Sequence, residues 1–267
     1  EVLNACMKDF GGFDHNLQTL RIITVLENKY YRFAGLNLTA ETLDGLIKRN
    51  GPLKKKDLYT QIFGHSSLRN KMIYHYFPTI ESQVAAISDD IAYNNHDLED
   101  GLRAELFTIK KLSSIPFLSK ITRVHLKKKN IYRREILVNQ IVRELINLMV
   151  MDVIKNTQIN IKKNKIKSIN DVYKQDQLLV DFSAKMKQKV NDIKLFLKTN
   201  MYNNKKVIIN TNKGKKIISD LFKHLLKNHK KYIKKEIIKN ENTERAVADF
   251  IAGMTDRYAI NLHNKIK

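Results

Sequence analysis

Apolar positions along this chain recur three and four residues apart rather than alternating, the spacing of amphipathic helices and not of half-buried strands. Leu17, Leu20 and Thr24 open the first run and predict a helix over 16–33. Thr39 is placed to cap a second helix, with Leu38 and Leu43 as a hydrophobic staple, and Asn50-Gly51-Pro52 stops it. Lys54-Lys55-Lys56 and the stretch to Tyr76 predict a loop or hairpin excursion. Helical spacing returns after Pro78, with Thr79 as cap, over 80–98, and Gly101 is expected to close that helix. A short helix to residue 111 and a break from Ser113 to Pro116 follow. Ile136, Ile141, Leu145 and Leu148 mark a long helix over 131–156, and 159–169 predicts a lysine-rich loop. Three more helices are expected over 177–198, 213–228 and 243–264. The last carries a core stripe of Val247, Phe250, Ile251, Met254, Tyr258 and Leu262.

Only three prolines and nine glycines interrupt 267 residues, so the fold class expected is all-α. No repeat period is present, which excludes a solenoid and leaves an irregular multi-helix globule. Hydrophobic residues make up 43%, too many for a disordered chain. Two domains are expected, a core over 1–156 and a basic helical extension over 157–267. Cys6 is the sole cysteine, which rules out a disulfide framework and a Cys-based zinc site and fits a reducing cytoplasm. The longest apolar stretch, 146–154, contains Asn147 and Asp152 and is too short to span a bilayer, so no membrane partner is expected.

The formal charge of +22 is unevenly placed: residues 1–120 hold 15 Lys and Arg against 14 Asp and Glu, while 121–267 hold 34 against 13. A basic half suggests a polyanionic partner such as nucleic acid. A Lys-, Asn- and Ile-rich composition imposed by an AT-rich genome accounts for it equally well. Stacking residues are sparse in the basic stretch, since 203–240 offers only Phe222 and Tyr232 among its lysines. Salt-dependent, non-specific DNA binding is expected as a by-product of the charge.

The helix over 80–98 holds the most informative geometry. At about 100° per residue, Val84, Ile87, Ile91 and Leu98 share one face, and Asp89, Tyr93, His96 and Asp97 share the opposite one. A solvated face accounts for such a stripe. So does a phosphate or metal pocket, because carboxylates are hard oxygen ligands and Tyr and His donate hydrogen bonds to phosphate oxygens.

Several runs, in order and spanning nearly the whole chain, carry a family resemblance. They are Gly11-Gly12-Phe13-Asp14-His15-Asn16, Gly35-Leu36-Asn37-Leu38-Thr39, Lys48-Arg49-Asn50-Gly51-Pro52 and Asp89-Asp90-Ile91-Ala92-Tyr93-Asn94-Asn95-His96-Asp97. Tyr132-Arg133-Arg134-Glu135 and Asp249-Phe250-Ile251-Ala252-Gly253-Met254-Thr255-Asp256-Arg257 complete the set. Together they resemble the bacterial dGTPase-like deoxynucleoside triphosphate (dNTP) triphosphohydrolases, all-α members of the HD-domain superfamily of metal-dependent phosphohydrolases. The resemblance implies hydrolysis of a dNTP to a deoxynucleoside and inorganic triphosphate. Water is then directed at the α-phosphorus with a divalent metal, Mn2+ or Mg2+, polarising the phosphoryl oxygens, and placed donors stabilise the developing charge. It also implies roles by position: Asp89 as the last metal-ligating aspartate, Tyr93 on substrate phosphate, Asp97 on the deoxyribose 3′-hydroxyl, and His15 as a catalytic histidine near the phosphates. A homo-oligomer is the expected assembly.

The family's metal set also includes a histidine and an adjacent His-Asp pair, and the chain begins downstream of the segment that carries them in relatives. An N-terminally incomplete, HD-domain-like core is therefore expected. His96-Asp97 does not replace that pair, because it follows Asp89 on the same helix. One carboxylate holds a catalytic metal weakly, and the outer hydrogen bonds that orient ligands would be absent too. The chain as given is thus expected to be inactive, with apolar surface exposed over 17–46. A basic nucleic-acid-binding module and a non-catalytic remnant are the alternatives. His65, His75, His224, His229 and His263 are expected at the surface, while His125, beside Lys127-Lys128-Lys129, and Arg133 or Arg134 are candidate phosphate contacts.

Overall fold

The computed structural model describes residues 1–49, 51–53, 76–126, 133–234 and 242–266. Among the described residues it is all-α, with no strand and thirteen α-helices. These are α1 (Val2–Cys6), α2 (His15–Arg21), α3 (Ala40–Ile47), α4 (Ile80–Arg103), α5 (Ile109–Leu112), α6 (Pro116–Leu126), α7 (Arg134–Lys163), α8 (Ile169–Tyr173), α9 (Ala184–Leu197), α10 (Lys205–Lys227), α11 (His229–Tyr232), α12 (Thr243–Ala252) and α13 (Asp256–Ile266). They form two compact units, one of Thr39–Lys205 and one of Glu1–Leu38 with Lys206–Lys267. Residue 156, the expected end of the first domain, lies inside α7. No described helix is long and apolar enough to cross a membrane.

In the unit Thr39–Lys205, α4 packs on α7, with α6 against α7 and α3 and α9 against α4. Leu98 and Leu102 of α4, Leu118 of α6, Ile141, Leu145 and Met149 of α7, and Ile193 and Leu197 of α9 are buried together. Each buried side chain of this size contributes about 1.5–3 kcal/mol relative to exposure. Gly101 does not close α4, which runs on to Arg103. Its missing side chain makes room for Phe107, because a Cβ there would stand 2.3 Å from the ring. Phe107 in turn meets Phe196 of α9 edge-on, with centroids 4.9 Å apart.

The approach to α9 is irregular, and side chains satisfy its backbone. Buried Gln83 of α4 donates to Pro78 O at 2.8 Å and accepts from the amides of Leu179 and Val180 at 2.8 and 3.0 Å. Asn156 and Asn160 of α7 donate to Asp181 O and Leu179 O, both at 2.9 Å. Asp152 accepts from the amide and the hydroxyl of Ser183, the residue that caps α9. These bonds fix α9 against α4. They also show why α7 extends beyond 156 to Lys163, through part of the expected loop: Asn160 faces the 178–182 segment rather than solvent.

In the other unit, Met7, Leu221, Leu225, Val247, Ile251 and Leu262 form the core. Arg21 and Gln18 of α2 both grip Asp249 of α12, at 2.8 and 2.9 Å. The expected helix over 16–33 is interrupted: α2 passes into a wider turn, where Glu27 N bonds Ile22 O at 2.9 Å, and helical structure ends at Leu26. The chain then folds back, with Leu36 N on Ile23 O at 2.8 Å. Gly35 permits this return. Its φ is +70°, and a Cβ there would lie 2.5 Å from Ile23 O. The expected last helix is likewise two, α12 and α13, broken at Gly253 to Thr255. Of its predicted stripe Val247, Ile251 and Leu262 are buried, while Tyr258 is exposed.

Candidate functional site

Thr79 starts α4 as expected, its hydroxyl accepting from Ser82 N at 3.3 Å. Ile91 and Leu98 are buried on the core face, although Val84 is exposed. Asp89, Tyr93 and Asp97 succeed one another by single turns along the outer face, with 57% of the Asp89 side chain exposed. On exposure alone this stripe is a solvated surface. Three other segments change that reading by bringing polar partners to it or to the adjacent Asp90.

The first is the end of α3. Thr39 caps this helix through its hydroxyl, and Arg49 follows its last turn. The Arg49 guanidinium contacts Oδ2 of Asp89 and lies 3.8 Å from Oδ1 of Asp90. The second is α9, whose Lys194 ammonium is 3.5 Å from Oδ2 of Asp90. The third is the turn Lys198–Tyr202, where Asn203 N bonds Lys198 O at 3.0 Å, one residue wider than a helical turn. Such widened turns re-aim side chains and recur at functional sites. Here Tyr202 donates its hydroxyl hydrogen to Oδ2 of Asp97, and the Tyr93 hydroxyl joins the same network. Burial, then the Asp97 carboxylate, push the Tyr202 phenol well above its ordinary pKa. It stays a proton donor throughout the physiological range.

Two clefts meet at Arg49. One, of about 260 Å³, is bordered by Asp90, Lys187, Asn191 and Lys194 over the apolar side chain of Ile87. The other, of about 410 Å³, lies between α3 and α4 beside Asp89, Leu46 and Ala85. The arrangement places cations along one flank of α4 and a carboxylate–phenol pair two turns further on. That is a chemistry for phosphate oxygens at one end and a hydroxyl at the other.

His15 stands exposed in the first turn of α2, in the other compact unit, where Asp14 caps the helix. His96 lies 3.7 Å from Glu99 on its own helix. His125 is buried, its Nε2 2.6 Å from Oε2 of Glu144, and His263 is buried beside Asp220 at 2.9 Å rather than at the surface. Arg134 clamps the end of α4, donating to Leu102 O at 3.0 Å and Glu105 at 2.8 Å. His65, His75 and Lys127 to Lys129 lie outside the described residues. Among the described residues no three His, Cys, Asp or Glu side chains are grouped to hold a metal, and the Asp89 carboxylate faces a guanidinium. This donor set does not by itself fit a divalent cation.

Residues 180–265 match the phosphohydrolase-associated domain. A deoxyguanosinetriphosphate triphosphohydrolase-like protein of Pelagibacter ubique is 49% identical over 266 residues, covering 100% of this chain and 71% of that protein. The chain belongs to this family. Relatives of the same description from Parvibaculum lavamentivorans and Rickettsia typhi are 39% and 35% identical, over 99% and 100% of this chain and 69% and 70% of theirs. The phosphohydrolase-associated segment of this triphosphohydrolase-like chain includes Lys194 and Tyr202. Neither has a local signal in the sequence, because each acquires its meaning from a partner on α4 about a hundred residues away. Arg49 was visible only as a member of the Lys48–Pro52 run.

Proposed function

We propose that the outer face of α4 is the nucleotide-binding face of a dNTP triphosphohydrolase, an enzyme that splits a dNTP and water into a deoxynucleoside and inorganic triphosphate. The observation that carries this reading is the convergence of Arg49 and Tyr202, from two separate segments, on the stripe Asp89–Tyr93–Asp97, with Lys194 from a third on the adjacent Asp90. Arg49 and Lys194 neutralise phosphate oxygens, and the planar guanidinium is suited to two of them at once. Tyr93 donates to a phosphate oxygen. Asp97 accepts from the sugar 3′-hydroxyl, with Tyr202 fixing the carboxylate and leaving its Oδ1 available. His15 is proposed as a catalytic histidine on the family resemblance alone.

A divalent ion, Mn2+ or Mg2+, would supply a polarised water when bound. Asp89 would offer it a single carboxylate, whose Oδ2 is held by Arg49. The chain on its own is therefore expected to bind dNTP and to hydrolyse it slowly or not at all. Calorimetric titration with dGTP, its 2′,3′-dideoxy analogue and inorganic triphosphate tests the binding face. The expected order is dGTP tightest, with the dideoxy analogue weaker by about tenfold for the lost charged hydrogen bond. Equal affinity for dGTP and the dideoxy analogue would remove Asp97 from the reading. Triphosphate release in Mn2+ by the chain alone would show that a complete ligand set forms within it.

A further inference from the structure

Next to Arg49, the end of α3 carries a second basic residue with the opposite environment. Lys48 is the bulkiest fully buried side chain among the described residues, with only 1% of it exposed. Its ammonium lies 2.8 Å from Oδ2 of Asp44, one turn earlier on the helix, and Leu43 and Ile47 beside them are buried. Arg49, the following residue, is exposed and meets Asp89 of α4. Taking a lysine and an aspartate out of water offsets most of their attraction, so apolar side chains of similar volume would serve the core at least as well. What a buried ion pair adds is register, because its charges are satisfied in one arrangement whereas apolar groups slide. Burial holds the Asp44 carboxyl above its ordinary pKa even beside the ammonium, the mark of a dry site.

The backbone on both sides of Arg49 is fixed as well. Lys48 N donates to Asp44 O at 3.0 Å, and Gly51 N donates to Lys48 O at 2.9 Å. Gly51 has a φ of +102°, a conformation that glycine adopts without strain. Helix α3 itself lies close on α4, since a Cβ at Gly45 would stand 2.0 Å from Ser82 Oγ. Arg49 is thus held between an anchored residue and a tight turn, and its guanidinium reaches Asp89 and comes within 3.8 Å of Asp90.

We propose that the buried Lys48–Asp44 pair is a positioning device: it sets the end of α3 so that the Arg49 guanidinium meets Asp89, and through Arg49 it governs affinity for the triphosphate of a bound nucleotide. Lys48 touches no ligand and acts only through its neighbour. The effect on affinity rests on the reading of the outer face of α4 as the nucleotide-binding face, whereas the positioning of Arg49 does not.

The test is Asp44→Leu/Lys48→Met in the full chain, which removes the pair without changing the net charge, so that any effect at Arg49 comes from geometry. One readout needs no ligand: the Arg49 Nε–H resonance in proton–nitrogen correlation spectra, assigned by its loss in Arg49→Ala. It is expected to be dispersed and protected from exchange in the parent and to move to the position of a free arginine in the double variant. The melting midpoint is expected to fall by no more than about 4 °C, because the apolar pair replaces the ionic one. The other readout is calorimetric affinity for inorganic triphosphate, expected to fall about fivefold in the double variant. In an Arg49→Ala background the same two substitutions are expected to change that affinity by less than about twofold. An Arg49 resonance that stays in place would overturn the proposal, as would an equal loss of affinity in the Arg49→Ala background. A shifted resonance with unchanged triphosphate affinity would keep the positioning and remove the nucleotide reading instead. Lys48→Met alone, whose Asp44 can take up a proton, covers a failure of the double variant to fold. Loss of cooperative unfolding in both would make the pair a purely structural element and overturn the proposal.

Discussion

The hydroxyl of Tyr202 donates to Oδ2 of Asp97, joining the last residue of the widened turn after α9 to the outer face of α4 across 105 residues of sequence. The bond leaves one Asp97 oxygen for a ligand and holds the carboxylate in one orientation. Tyr202→Phe is expected to weaken dGTP binding by about fivefold to tenfold while leaving affinity for inorganic triphosphate unchanged. Asp97→Asn should abolish the difference between dGTP and its dideoxy analogue. Parallel calorimetric titrations of the parent and both variants check this. A uniform loss for all three ligands would mean that the pair supports the fold rather than reads the sugar.

Arg49 occupies the opposite end of the stripe and answers to a different ligand group. Its side chain is 46% exposed, so the pair with Asp89 adds little to stability. Arg49→Ala is expected to shift the unfolding free energy by less than about 1 kcal/mol and to cut inorganic triphosphate affinity by about tenfold or more. Denaturant melts and a triphosphate titration on the same preparation separate the two effects.

Local chemistry made much of this fold legible. The hydroxyl caps at Thr39 and Thr79 sit where threonine precedes helical spacing, and the α4 stripe follows from that spacing alone. The backbone departs from the local signals where distant contacts decide it. Gly101 has the look of a helix stop, yet its lack of a side chain serves Phe107. The segment after 156 is rich in Lys and Asn, yet Asn160 is spent on a carbonyl of the 178–182 stretch and the helix continues. Residues 27–33 follow a helical run, but Gly35 turns the chain back on Ile23. The site divides in the same way. Asp89, Tyr93 and Asp97 announce themselves by period, whereas Lys194 and Tyr202 lie in another helix and its terminal turn and carry no mark of their partners.

Core depth gives a third expectation. Leu145 is fully buried at the centre of α7, among side chains from α4 and α6. Leu145→Ala removes its burial and leaves a void, which costs about 2–5 kcal/mol. Ile136, on the same helix but 48% exposed, should lose less than about 1 kcal/mol on the same change. Chemical denaturation of both variants distinguishes them, and equal losses would place the core on the wrong face of α7.

Gly101 and Phe107 provide a coupled pair. A Cβ at Gly101 would stand 2.3 Å from the edge of the Phe107 ring, which also meets Phe196 edge-on. Gly101→Ala is expected to destabilise by about 1–3 kcal/mol despite alanine's better helix propensity. In Gly101→Ala/Phe107→Leu part of that loss should be regained, giving a favourable coupling of at least about 0.5 kcal/mol in a double-mutant cycle. Strict additivity would refute the steric account.

Acid stability follows from carboxylates whose folded pKa lies below the ordinary range. Asp171 accepts from the amides of Lys167 and Ser168 at 3.0 and 2.8 Å and from the Ser168 hydroxyl at 3.0 Å, and these bonds lower its pKa. A depressed folded pKa means that the unfolded chain takes up its proton first. The Asp171 contribution is therefore complete above the ordinary carboxylate pKa of about 3.9 and is lost as pH falls through the folded value. Asp44, raised by burial despite the Lys48 ammonium at 2.8 Å, runs the other way and favours the folded state as pH falls. Asp171→Asn isolates the first effect. The variant should be less stable than the parent at neutral pH, and the gap should close between about pH 5 and pH 2. Thermal melts of both proteins across that range check it, and a gap that stays constant would mean that the side chain acts by packing and not by charge.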